Sequence, residues 1–112
     1  MRSHEGNRPD DNLQIDQDAR VLAHFVSMTK LHAALAPYVA TLCDEAAMTG
    51  LPLQRPLFLH YQEDGRAYAV ETQYLYGRDL LVAPLIEAGA EDWPAYLPAG
   101  ADWVHLWSGE HY

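Results

Sequence analysis

A continuous helical pattern across residues 16–49 is the feature that most constrains the fold of this chain. Apolar side chains recur there at alternating spacings of three and four residues, the period of a helix that buries one face. The stripe consists of Val21, Leu22, Phe25, Val26, Met28, Leu31, Ala34, Leu35, Tyr38, Val39 and Leu42. Asp16 or Asp18 can cap the start and Gly50 can end the helix. Pro37 lacks a backbone donor, so it predicts a kink or a two-part helix.

The sequence changes character after the helix. Proline and glycine separate short apolar runs, which are typical of strands in an antiparallel sheet or part of a sandwich. These runs are 57–61, 74–76, 80–83, 95–97 and 103–107. Residues 1–15 are polar and rich in turn formers, which indicates a loop. We therefore expect an α+β arrangement, in which one helix and an unfinished sheet belong to a larger architecture.

Composition excludes several classes of partner. Hydrophobic residues make up 49% of the 112, so a packed core is possible. The formal charge of −9 disfavours nucleic acid and anionic membrane surfaces, which attract basic faces. A single cysteine, Cys43, and the lack of a leading apolar segment favour a cytoplasmic location.

No cofactor or metal is expected from the sequence. The acidic cluster formed by Asp10, Asp11, Asp16 and Asp18 lacks the fixed glycine and the terminal glutamate of a calcium loop. Histidines 24 and 32 are eight residues apart and no His-Glu-x-x-His motif occurs, so a zinc site is not indicated. Solvated, helix-capping side chains are the simpler interpretation of the cluster.

An ordered series of motifs resembles glycoside hydrolase family 31, the retaining α-glucosidase family. The series covers nearly the whole chain, which makes it specific although each motif alone is weak. Its members are Leu35-Ala36-Pro37-Tyr38, Gly50-Leu51-Pro52, Arg55-Pro56-Leu57, the run 73–84 (QYLYGRDLLVAP), Tyr96-Leu97-Pro98 and Trp107-Ser108-Gly109. The N-terminal run 2–9 (RSHEGNRP) resembles the bacterial sulfoquinovosidase branch, whose members release sulfonated glucose from plant sulfolipid derivatives.

The resemblance implies a position within a larger enzyme. Residues 1–50 would be the end of a catalytic (β/α)8 barrel, with a substrate loop at 1–15 and the last barrel helix at 16–49. Residues 51–112 would start the β-sandwich domain that follows. Hydrolysis in the family is a double displacement by two aspartates, and we expect both of them upstream of this chain. The chain alone is therefore expected to be inactive, with no catalytic residue of its own.

One substrate contact carries over by resemblance. His4 matches the family histidine that hydrogen-bonds hydroxyls of the reacting sugar, whereas on its own a loop histidine is usually a solvated side chain. Arg2 precedes it and is expected to support the site through an ion pair. Glu5 departs from the pattern of most family members, and it either lines the mouth of the site or is a solvated loop acid.

Three alternatives stay open at this point. The parent enzyme hydrolyses α-sulfoquinovosides of the sulfoquinovosyl glycerol type, or it is an α-glucosidase or α-xylosidase acting on neutral sugars. In the third alternative the chain is a stand-alone non-catalytic module. Homo-oligomerisation of the intact enzyme is open as well.

Overall fold

The architecture is that of a computed structural model, which describes residues 18–87, 89–90 and 92–112. It contains, in order, α1 (Ala19–Thr49), β1 (Gln54–Arg55), a 3-10 helix (Leu57–Leu59), a second 3-10 helix (Gly65–Tyr68), β2 (Tyr74–Tyr76) and β3 (Leu80–Val82). The chain divides into two compact units inside α1, the first ending at Thr41 and the second comprising Leu42–Tyr112. The expected order of a helix followed by antiparallel strands is confirmed.

Both predicted ends of α1 have the expected caps. The Oδ1 atom of Asp18 accepts a hydrogen bond from the backbone N–H of Arg20 at 2.6 Å, which satisfies a donor that the first helical turn leaves free. At the other end Gly50 adopts a φ of +77°, and its N–H donates to the carbonyl of Ala46 at 2.9 Å. Glycine enters this left-handed region without a steric penalty, so the helix stops there. Asp16, the other capping candidate, lies outside the described residues.

Pro37 does not divide the helix. The sequence predicts a kink or a two-part helix at this position. However, α1 is one continuous helix of 31 residues that includes Pro37, so the two-part interpretation is wrong. Proline removes only one hydrogen bond, the one that the carbonyl of Ala33 would otherwise accept. The turns on both sides stay intact, and the hydroxyl of Thr41 donates an additional bond to the carbonyl of Tyr38 at 2.7 Å.

The sheet has three antiparallel strands in the order β1-β2-β3. In β2 and β3, Leu75 lies opposite Leu81, while β1 places Arg55 opposite Leu75. Gly77 begins the connection between β2 and β3 with a φ of +68°, and its N–H donates to the carbonyl of Leu53 at 2.7 Å. The central strand is thus fixed from both sides, which buries Leu75 completely.

A small core surrounds the central strand. Leu57, Ala67 and Leu75 are buried, and partly buried apolar side chains pack against them: Phe58, Tyr61, Val70, Leu81, Tyr96 and Trp103. Two of the three buried residues, Leu57 and Ala67, come from the 3-10 helices, so these short helices supply much of the core around the central strand. The core depends on turns as much as on strands.

Two of the predicted strands are wrong, and a third is reduced to a single bridge. Residues 57–59 form a 3-10 helix, because Pro56 precedes them and its carbonyl accepts from the N–H of Leu59 at 3.1 Å. Residues 95–97 have no strand partner among the described residues. Within 103–107 the described residues show one isolated bridge, between Val104 and His111. Backbone hydrogen bonds pair Trp103 with Tyr112 on one side of it and join the N–H of His105 to the carbonyl of Glu110 on the other. Apolar runs mark burial, and burial is compatible with a turn as well as with a strand.

Candidate functional site

The candidate substrate residues cannot be placed. His4, Arg2 and Glu5 all lie outside the described residues, and so does the predicted substrate loop 1–15. Their roles stay predictions. The polar groups that the structure does bring together include two partly buried clusters in the second compact unit.

The first cluster surrounds Arg55, whose side chain is completely buried. Its Nε donates to the carbonyl of Pro52 at 2.7 Å, and Nη2 donates to Oε2 of Glu45 at 2.5 Å. Its Nη1 lies 3.0 Å from Nε2 of His60. A buried guanidinium needs such partners because an unpaired charge is costly away from water. We call this set of residues the Arg55 cluster; it joins the C-terminal end of α1 to β1.

Hydrogen bonding, burial and charge in the Arg55 cluster shift the pKa of both titratable partners, Glu45 and His60. The hydrogen bond from Arg55 holds the pKa of the Glu45 carboxyl below its usual value, although partial burial opposes this effect. Burial, with the positive charge of Arg55 second, lowers the pKa of the His60 imidazole. The Glu45 side chain is about one third exposed, so water screens part of its attraction to Arg55.

The second cluster centres on Tyr96. Its hydroxyl donates to Oδ2 of Asp64, and its backbone N–H and carbonyl both bond the side-chain amide of the buried Gln73. The guanidinium of Arg66 lies 5.9 Å from the centre of the Tyr96 ring, within range of a cation–π contact. The tyrosine hydroxyl, the largest influence, lowers the pKa of the Asp64 carboxyl.

An open cleft of about 520 Å³ lies beside the second cluster. Its lining includes Glu63, Asp64, Arg66 and Tyr96. The carboxyls of Glu45 and Asp64 are both held in the ionised form by their partners, whereas a general acid for glycoside cleavage needs a raised pKa. These two carboxylates are therefore suited to holding Arg55 and Tyr96 in place, and not to donating a proton to a leaving sugar.

The three tryptophans have different surroundings. Trp103 donates its indole N–H to the carbonyl of Pro98 at 2.9 Å and packs on the core, which indicates a structural role. The indole nitrogen of Trp93 is buried and has no partner within the described residues. Trp107 is 62% exposed.

Other kinds of site find no support in the described ranges. Histidine, cysteine and acidic side chains form no group of three that could hold a metal ion among residues 18–87, 89–90 and 92–112. Over the same part of the chain, no helix combines the length and apolarity that crossing a bilayer requires.

Sequence reasoning missed the grouping of Glu45, Arg55 and His60. Arg55 belongs to one of the motifs of the family resemblance, and its complete burial indicates a structural role, but its side-chain partners lie ten residues before and five residues after it. A charged residue between Gln54 and Pro56 at the edge of an apolar run was the available signal. The identity of its acceptors depends on tertiary structure.

Comparison with known proteins gives the fold and these clusters a family. The model of the glycosyl hydrolase family 31 C-terminal domain matches residues 50–112, which is more than half of the chain. The three-stranded sheet, which lies within the matched range, therefore belongs to a class of glycoside hydrolases. The chain belongs to glycosyl hydrolase family 31.

Individual relatives agree with this assignment. The chain is 61% identical over all 112 residues to a sulfoquinovosidase of Agrobacterium fabrum, of which it covers 17%. A solved family 31 sulfoquinovosidase from E. rectale, in complex with an aza-sugar inhibitor, superposes with a TM-score of 0.91 at 47% identity, covering 100% of this chain and 17% of that one. A family 31 α-xylosidase from a soil metagenome, complexed with xylose, gives a TM-score of 0.85 at 35% identity, covering 89% of this chain and 15% of that one.

The curated relatives are much longer than this chain. The chain spans about a sixth of the length of the curated relatives it matches.

Proposed function

We propose that this chain is a segment of a longer retaining α-glycoside hydrolase that acts as a sulfoquinovosidase. The observation that carries the proposal is the 61% identity over the entire chain to a sulfoquinovosidase. The α-xylosidase, which acts in the same family, matches less of the chain at 35% identity. We call the longer protein that contains this chain the native-length enzyme. Its substrates are α-glycosides of the sulfoquinovosyl glycerol type.

We propose the domain boundaries that the sequence indicates. Residues 1–50 form the end of the (β/α)8 barrel and 51–112 begin the following β-sandwich. The family match begins at residue 50, directly after α1 ends, which supports the second boundary. Leu22 and Val26 on α1 are 42% and 41% exposed, and apolar helical side chains of this kind pack against further structure in a barrel.

The chemistry proceeds by double displacement. One aspartate attacks the anomeric carbon, and a second aspartate protonates the leaving oxygen and then activates water, the two carboxyl groups lying about 5–5.5 Å apart. Both belong to the part of the native-length enzyme outside this chain. His4 binds hydroxyls of the reacting sugar, since an imidazole offers one donor and one acceptor. Arg2 holds the loop by an ion pair, and Glu5 either lies at the mouth of the site or is a solvated loop acid. We further propose a bacterial cytoplasmic location.

The stereochemistry of the product tests this mechanism. Proton NMR of the first sugar released from an aryl α-sulfoquinovoside by the native-length enzyme should show the α-anomer before mutarotation. Release of the β-anomer would refute double displacement.

A pair of histidine variants tests the role of His4. His4→Ala should lower kcat/KM by orders of magnitude without changing the far-UV circular dichroism spectrum, because a substrate hydrogen bond is lost. His24→Ala, an exposed position on α1, is the matched control and should retain the rate. Equal rates for both variants would remove His4 from the site.

A further inference from the structure

The geometry of the Arg55 cluster determines the protonation state of His60. A guanidinium carries only donors, so in the 3.0 Å contact between Nη1 of Arg55 and Nε2 of His60 the imidazole must accept. Nε2 therefore holds no proton, and His60 is neutral with its proton on Nδ1. The other two nitrogens of Arg55 are occupied by Pro52 and Glu45, which fixes the position of the guanidinium.

Protonation of His60 is incompatible with this arrangement. An imidazolium has no acceptor, so Nη1 of a completely buried arginine would lose its partner and face a like charge instead. The charged groups around His60 come from three elements: Arg55 from β1, Glu45 from α1, and Arg78 and Asp79 from the connection between β2 and β3. Glu45 and Asp79 favour the protonated ring, but burial and the positive charges of Arg55 and Arg78 outweigh them, so the pKa of His60 is lowered.

We propose that the Arg55 cluster is a proton-sensitive fastening between the C-terminal end of α1 and β1, which opens when His60 takes up a proton. Acid thus separates Nη1 of Arg55 from the ring and loosens the backbone of the linker between Gly50 and Leu53. The inference concerns this second compact unit and is independent of which glycoside the native-length enzyme hydrolyses.

The direction of the pH effect follows from linkage. In the unfolded chain a histidine titrates near its ordinary pKa of 6.5, and burial beside Arg55 places the folded pKa of His60 below that value. The opened state then binds more protons, so the fastening is fully stable above about pH 6.5 and weakens as the pH falls toward the folded pKa. Within that window, each pH unit raises the opening equilibrium by up to about tenfold.

Hydrogen exchange of the native-length enzyme tests the proposal. Exchange of peptides covering residues 45–61 would be followed by mass spectrometry between about pH 8 and 5, with rates corrected for their intrinsic pH dependence. In wild type the corrected rates should rise as the pH falls below about 6.5. His60→Gln supplies an amide oxygen that accepts from Arg55 and cannot be protonated, so its corrected rates should stay flat.

The matched control is His32→Gln, an exposed histidine on α1, which should retain the wild-type rise. A wild-type rise that persists unchanged in His60→Gln would overturn the proposal. If His60→Gln loses structure at pH 8, the proposal is judged from the pH dependence of the corrected exchange rates in the wild type. A flat wild-type profile down to pH 5 refutes the fastening.

Discussion

The side-chain amide of Gln73 holds the backbone of Tyr96 from both sides, donating through Nε2 to its carbonyl at 3.0 Å and accepting from its N–H at 2.7 Å. A buried side chain thus replaces the strand that the sequence predicts at 95–97. It ties an irregular segment to the residue that directly precedes β2, 23 positions earlier in the chain.

Gln73→Leu should destabilise this segment locally. Leucine fills a similar volume but leaves the N–H and carbonyl of Tyr96 unpaired, and each unsatisfied buried group costs about 1–3 kcal/mol. Hydrogen exchange of peptides covering 94–98 in the native-length enzyme should accelerate accordingly. Gln62→Leu, at an exposed glutamine, should leave exchange there unchanged. Similar rates in the two variants would contradict the role of Gln73.

Leu75→Ala should weaken the core of the second unit. Leu75 is completely buried in the central strand, and removing such a side chain from a packed core costs about 2–5 kcal/mol. Chemical denaturation of the native-length enzyme, followed by exchange at β2, measures the loss. Leu85→Ala is the matched control, because Leu85 is 57% exposed and its truncation should change stability by less than about 0.5 kcal/mol. An equal effect at both positions would argue against the observed core.

Arg55→Lys should loosen the junction of α1 and β1 although it conserves the charge. A lysine ammonium is a point charge, and it cannot reach Pro52, Glu45 and His60 at once as the planar fork does. Exchange in peptides covering 45–61 should increase at pH 8. The same substitution at the exposed Arg20 should have no effect there. Unchanged protection in Arg55→Lys would show that a positive charge alone is enough to hold the junction of α1 and β1.

Tyr96→Phe should change the acid sensitivity of the second 3-10 helix. The tyrosine hydroxyl lowers the pKa of Asp64, so this carboxylate contributes stability above its usual pKa near 3.8 that is lost as the pH falls through its folded pKa. Without the hydroxyl the pKa of Asp64 should rise toward the usual value, and that part of the acid-dependent loss should disappear. Carbon-13 NMR of labelled aspartate carboxyls measures the shift. An unchanged Asp64 titration would contradict the hydrogen bond.

The sequence predicts α1 well because its signals are local. Apolar period, the Asp18 cap and the Gly50 stop each act within one helical turn. Strand β1 escapes prediction because Gln54 and Arg55 carry no apolar alternation, and their pairing with β2 depends on residues 20 positions away. The run at 57–59 is apolar and therefore predicts a strand, but its buried residue, Leu57, lies in a 3-10 helix.

The sequence predicts less of the candidate site than of the fold. The sequence places Arg55 in a motif of the family resemblance, yet Nε2 of His60 and the carboxylate of Glu45 become its neighbours only in the folded chain, after α1 has ended. The loop bearing His4 lies outside the described residues, so its role still rests on resemblance.

Substrate discrimination tests the central claim most directly. The native-length enzyme should be assayed with an aryl α-sulfoquinovoside and the matching aryl α-glucoside under identical conditions. We predict that kcat/KM is larger by orders of magnitude for the sulfonated sugar. A preference for the glucoside, or no hydrolysis of the sulfoquinovoside, would contradict the assignment to sulfoquinovosidase activity.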